Sequence, residues 1–434
     1  MTCNRFEGVL SYRLKKPAAN HEEARQTEKN KHSVVSHLGI PKAEMTDMRK
    51  HHENHRKSSH RIDVFYPLLC HNLCKGTNKC AKSQRLFGFS PTYDYLCGMK
   101  ERINWIDWAK ALAVCSVVFC HLPQSQEWFY YRYLQSVIIV IFFFLSGYLK
   151  KDRGSWKNNW QKYWRGLVIP YLLYCLLVYP YWLCRFYMQH HAFPDVFEAL
   201  RPIIGTLLLQ HENAFAEPLN GPLWYLPAIL LMHLTIDLCR RTRYQHTIMI
   251  LLCLVSFVLY AANKYWYFSP QLTPMGLMRN LPYYYIGYLC GQRQWFSSTN
   301  HRQSLIGCIG CLSISIALFY WHLQAFFAGN HLLHIILFYP VNIGFMFGVL
   351  YGCKLLQRPA PGWVEQLSIG TLVIIGLHIV MVSAVNIIIE HLIGLDTTIC
   401  YQWYEALPLA LLIVGLLYPL ILWAEKHAPM FLGK

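Results

Sequence analysis

From residue 99 onward the chain returns repeatedly to runs of about 20 apolar residues, the length a helix needs to cross the hydrocarbon core of a bilayer. Lipid offers backbone groups no partners, so each run must satisfy its own N–H and C=O groups as a helix. Ten runs stand out, at 104–123, 131–149, 165–188, 222–239, 246–263, 276–291, 304–323, 331–353, 366–390 and 405–424. The expected fold class is therefore all-α, a polytopic membrane bundle of about ten transmembrane helices. The run at 276–291 is short and aromatic, with Tyr283, Tyr284 and Tyr285 in succession.

Composition supports the same class. Of 434 residues, 54% are hydrophobic and 15% charged, against roughly 25% charged in a soluble protein. The first 98 residues hold 17 of the 40 Lys+Arg and 9 of the 23 Asp+Glu, leaving 23 and 14 for the other 336. Two regions follow. Residues 1–98 contain stretches such as "KPAANHEEARQTEKNKH", too polar to bury a core, and are expected to be a disordered tail or an upstream extension ahead of a start at Met99. Residues 99–434 form the membrane domain. No cleavable signal peptide is visible at the N-terminus.

The cysteines do not read as a disulfide scaffold, because many of the sixteen lie inside apolar runs, where a free thiol acts as a small hydrophobe. Cys70, Cys74 and Cys80, with His71 among them, have a C-x3-C-x5-C spacing that fits no standard zinc pattern. No metal is expected.

Basic residues orient the bundle. Lys100 and Arg102 precede the first run, and basic groups follow every even-numbered one: Lys150 to Lys162, Arg240 to Arg243, Arg293 and Arg302, Lys354 and Arg358, Lys426 and Lys434. The loop between runs three and four carries Asp195, Glu198, Glu212 and Glu217 against Arg201. The positive-inside rule then puts both termini in the cytoplasm of a plasma membrane protein. Charge gathered at these rims suits anionic lipid headgroups rather than nucleic acid.

The first run, "DWAKALAVCSVVFCH" (107–121), carries polar residues that a lipid-bound helix does not need. Asn104 and Asp107 have a plain role available as N-cap and capping-box partner. Lys110 and His121 are eleven residues apart, so they fall within roughly 20° of one helix face, about 16 Å apart along the axis. An ionisable group within a bilayer costs on the order of 3 kcal/mol, so such a pair points to function. Lys110 snorkelling to the near interface and His121 as an interfacial residue are the plain alternatives. His378 lies within "LVIIGLHIVMV", where a packed core histidine bonded to a neighbouring helix competes with a catalytic one. His233 and Asn342 read as interhelical hydrogen-bonding residues.

Taken together, five segments resemble the acyltransferase-3 family of integral-membrane O-acyltransferases, in particular its fucose 4-O-acetylase-like branch. They are "IDWAKALAVCSVVFCH", "FFFLSGYLKK" (142–151), "KYWRGLVIPYLL" (162–173), "GPLWYLPAILL" (221–231) and "SIGTLVIIGLH" (368–378), collinear across 99–425. Lys110 stands where many members have Arg, and Lys162 with Arg165 where paired arginines are often expected.

The resemblance implies transfer of an acetyl group from cytoplasmic acetyl-CoA to a hydroxyl of a glycan or lipid-linked sugar in the cell envelope or outside it. On that reading His121 is the base or a transient acetyl carrier. His378 acts with it, and Lys110 stabilises negative charge or pairs with Asp107. Lys162 and Arg165 hold the phosphates of acetyl-CoA at the inner rim, although topology alone accounts for basic residues there. Trp224 and Tyr225 are candidate sugar contacts, although aromatic residues belt membrane interfaces in any case. The competing class is a membrane transporter or flippase for a glycan or small solute. The paired broken helices that transporters show have no counterpart here.

Overall fold

The computed structural model describes residues 102–434 apart from 126, 152–155, 211–214, 267–274, 357–359 and 394–399. The expected tail over 1–98, its cysteine–histidine group and the start at Met99 lie outside these residues.

Regular structure among the described residues is helical, with no β-strand. Helix α1 spans Asn104–His121. α2 (Phe129–Val137) and α3 (Val140–Tyr148) are two segments of one crossing. The next crossing is a 35-residue run, Trp156–His190. It contains α4 (Trp156–Tyr163), a π-turn over Trp164–Val168, α5 (Ile169–Leu177) and α6 (Tyr179–His190). α7 (Val196–Leu207) starts with a capping box between Asp195 and Glu198. A 3₁₀ turn, Gly221–Trp224, leads into α8 (Tyr225–Cys239), followed by α9 (Gln245–Trp266) and α10 (Met275–Gln292). Then come α11 (His301–Phe327), α12 (His331–Leu355), the short α13 (Gly362–Ile369), α14 (Thr371–Ile393) and α15 (Trp403–His427). A 3₁₀ turn, Pro429–Leu432, ends the chain.

Eight of these runs are long and apolar enough to cross a membrane. The other two expected segments, 104–123 and 276–291, do form helices of 18 residues each. Asp107, Lys110 and His121 dilute the first, and Arg279, Asn280 and Pro282 the second, so neither is apolar enough by itself. Both are held by neighbouring helices.

α1 packs against α2, α3, α12, α13, α14 and α15. Its fully buried positions, Ala109, Ala113, Val114 and Val118, are mostly small, which lets neighbouring backbones approach closely. α10 packs along α3 with almost nothing between the backbones. A Cβ on Gly287 would strike the carbonyl of Phe144, one on Gly291 that of Tyr148, and one on Gly147 that of Tyr284. The G-x-x-x-G spacing of Gly287 and Gly291 puts two bare patches on one face of α10.

The π-turn also has a local cause. Pro170 has no N–H, and its ring would crowd the carbonyl four residues back, that of Gly166. The chain widens one turn instead, and Ile169 donates its N–H to the carbonyl of Trp164, five residues back.

Candidate active site

α1 sets the geometry. Its Asn104 end meets α13, where the Ser368 hydroxyl donates to Asp107 Oδ1 at 2.5 Å. At its other end the ring of His121 meets that of His378, with centroids 4.8 Å apart and planes at 73°. The two contacts lie 14 residues apart on α1, or roughly 21 Å along its axis. They tie α1 in parallel to the α13–α14 segment at two levels.

The hydrogen bonds fix the tautomers. His121 Nδ1 donates to the carbonyl of Val117 at 2.8 Å. His378 Nδ1 donates to the carbonyls of Ile374 and Ile375 at 2.8 and 3.1 Å. A carbonyl can only accept, so in both rings Nδ1 carries the hydrogen and Nε2 keeps its lone pair. His378 is fully buried, and its Nε2 has no hydrogen-bond partner among the described residues. His121 is exposed. The site thus sets the exposed residue His121 against the enclosed imidazole of His378.

Three readings from the sequence need correction. α1 begins at Asn104 behind Ile103, and no side chain caps it, so Asp107 is not a capping-box partner. Asp107 is turned into the bundle, 5% exposed, because Ser368 offers its carboxylate a hydroxyl there. His378 bonds to its own helix rather than to a neighbouring one. Asn342 likewise donates within its helix, to the carbonyl of Phe338 at 2.7 Å. His233, by contrast, does bridge helices, with Nδ1 2.6 Å from the Tyr284 hydroxyl.

Lys110 is half-buried on the face of α1 that also carries His121. Lys162 and Arg165 are both exposed, one at the end of α4 and the other inside the π-turn. Arg241 lies over the ring of Trp156, 5.0 Å from its centroid, which brings a further cation to the start of α4. The cations of this rim and the histidine pair therefore occupy different levels of the bundle.

Trp224 is half-buried and stacks on Phe143 at 5.8 Å. Tyr225 is buried, with its hydroxyl 3.0 Å from Ser146 Oγ and donating to the carbonyl of Phe142. Just before them, Asn220 donates to the carbonyl of Gly376 at 3.0 Å, which fastens the Gly221–Trp224 turn to α14 two residues before His378.

A second buried polar cluster centres on an aspartate outside the five segments' polar residues. Asp237, on α8, is 7% exposed and forms a 2.5 Å ion pair with Lys150, itself 5% exposed. The Tyr163 hydroxyl donates to the other carboxylate oxygen at 2.5 Å, and Asn159 donates to it at 3.2 Å. Lys150 also hydrogen-bonds Tyr163, and the ring of His233 stacks on Tyr163 at 5.0 Å. The signal was available, because Asp237 is an acid within the apolar run "ILLMHLTIDLC". Lys150 stands in the sequence among the basic residues after the second run and within "FFFLSGYLKK".

A family model described as an acyltransferase domain matches residues 103–424. No curated protein and no solved structure matches the chain.

Proposed function

This chain belongs to the acyltransferase-3 family of membrane acyltransferases, and from that premise we propose that it moves an acetyl group from cytoplasmic acetyl-CoA to a hydroxyl of a cell-envelope or secreted carbohydrate. Kinship with the fucose 4-O-acetylase-like branch is part of the same proposal and rests on the five collinear segments. The observation that carries the reading is the His121–His378 pair, with a base nitrogen left open on His121.

In the proposed reaction His121 Nε2 takes the proton of the acceptor hydroxyl as its oxygen attacks the thioester carbonyl. The new C–O bond forms, the C–S bond breaks, and the proton passes from the imidazolium to the departing thiolate. His378, with its ring edge-to-face against that of His121 at 4.8 Å, is the neighbour that we propose moderates the charge appearing on His121. Lys110, about 16 Å from His121 along the axis of α1, stands too far away to touch the tetrahedral intermediate, and we assign it to pairing with Asp107 one turn away. Asp107 holds Ser368 and so keeps α13 and α14 in register with α1.

The donor's phosphates cannot enter lipid, and the exposed Lys162 and Arg165 supply one point charge and one planar fork for them. We assign this end of the bundle, with both termini, to the cytoplasm of a plasma membrane protein on the strength of its basic rim. The Gly221–Trp224 turn, fastened beside α14, makes Trp224 the better sugar contact, because the hydroxyl of Tyr225 is engaged inside the bundle.

Purified protein given radiolabelled acetyl-CoA and candidate glycans tests the reading. Wild type is expected to label a glycan and His121→Ala to lose at least ~100-fold in rate. Equal labelling by the variant removes His121 from the chemistry, and glycan uptake without acetylation favours a transporter.

A further inference from the structure

The ion pair of Lys150 and Asp237 occupies a place where charge is costly, and the proposed reaction does not use it. Replacing such a buried pair with apolar residues is often neutral or stabilising, so stability alone is a weak reason for its presence. Its partners suggest another reason. Asn159 and Tyr163 are four residues apart, hence on one face of α4, and both donate to the same carboxylate oxygen of Asp237. The inward face of α4 is thus pinned at one point on α8. One residue further on the π-turn begins, and Arg165 lies within it.

The far side of that turn is gripped as well. Gly433, at φ +69°, sits so close to Gly166 that a Cβ on it would come 2.8 Å from the Gly166 carbonyl oxygen. The π-turn is therefore held between Asp237, acting through α4, and the final turn of the chain. Lys162 and Arg165 are exposed while Asn159 and Tyr163 are buried. Rotating α4 about its axis would swing both cations away from a common target.

We propose that Asp237 is a positioning residue for the acyl donor: by pinning Asn159 and Tyr163 it sets the direction in which the π-turn presents Lys162 and Arg165 to the donor's phosphates. Lys150 completes the device, since it compensates a carboxylate that would otherwise repel those phosphates. This inference rests on the reading of Lys162 and Arg165 as the donor site.

The test uses the full chain in lipid nanodiscs, with equilibrium binding of radiolabelled acetyl-CoA and turnover measured separately. The variants are Asp237→Asn, Arg165→Ala and the double variant. Asp237→Asn is expected to weaken donor binding by about tenfold while turnover at saturating donor stays within about twofold. Because Asp237 acts through the cations, the double variant is expected to bind no more weakly than the worse single one. Wild-type affinity in Asp237→Asn overturns the proposal, as do losses that multiply in the double variant or a fall in turnover alone.

If Asp237→Asn does not fold, Tyr163→Phe serves instead, because it keeps the ion pair and removes one of the two pins. It is expected to raise the donor Kd several-fold with unchanged turnover, and an unchanged Kd overturns the inference. Failure of the underlying reading shows elsewhere: a wild type that binds no acetyl-CoA, or an Arg165→Ala variant with wild-type affinity, overturns both claims, whereas a wild-type Kd in Asp237→Asn or Tyr163→Phe beside a weakened Arg165→Ala overturns only this one.

Discussion

Two imidazoles whose ring centroids lie 4.8 Å apart cannot both carry a proton without repulsion. The pair therefore holds one proton more readily than two, and a proton taken by His121 keeps His378 neutral. On the proposed mechanism His378 is then a partner in the charge of the reaction rather than a second, independent base. Groups that act as a unit are non-additive when removed together. His378→Ala is expected to lower kcat by about 10- to 100-fold, and His121→Ala with His378→Ala to be no slower than His121→Ala alone. Steady-state rates of the three variants at saturating donor check this, and multiplied losses in the double variant would show two separate roles.

At the scale of elements, the seam between α3 and α10 illustrates what the sequence could and could not disclose. The run at 276–291 is short and aromatic, and Gly287 and Gly291 let its helix lie against the backbone of α3. Gly287→Leu is expected to cost several kcal/mol, since the opposing atoms are backbone and cannot move aside as a side chain could. Gly310→Ala, where a Cβ meets nothing within 4 Å, is expected to be neutral or to gain up to ~1 kcal/mol of helix propensity. Thermal unfolding in detergent measures both, and a Gly287→Leu variant as stable as wild type would mean that the helices are not in close contact. The length of the apolar runs disclosed an all-helical fold with eight helices long and apolar enough to cross a membrane among the described residues, and spacing gave the shared face of Lys110 and His121. The contact of His121 with His378, 257 positions apart in the chain, and that of Asp107 with Ser368 depend on how α1 docks against α13 and α14. Helical periodicity within one segment carries no information about that docking. Asp237 was legible as an anomaly, but its partners just after α3 and on α4 were not, because ion pairs across helices leave no fixed spacing in a sequence.

At the scale of the whole molecule, the proposed donor and the proposed base occupy different depths, and the direction of the chain determines which side each faces. The first crossing runs from Asn104 to His121, and the second returns along α2 and α3 to Tyr148. Lys162 and Arg165 therefore stand at the end of the bundle where α1 begins, and the third crossing leads away from them toward His190. Phe193, 75% exposed after α6, then belongs to the opposite face. Basic residues hold the first face and acidic ones the loop after α6, and the proposal that the first face is cytoplasmic rests on that difference. In a cysteine-depleted background, cysteine at 162 is expected to react with an impermeant maleimide only in inside-out vesicles, and cysteine at 193 only in right-side-out ones. Reaction of both positions from one side would place an even number of crossings between them and remove the cytoplasmic donor site. Reaction in the reverse order would keep the bundle but turn it over, leaving the basic rim facing a compartment without acetyl-CoA.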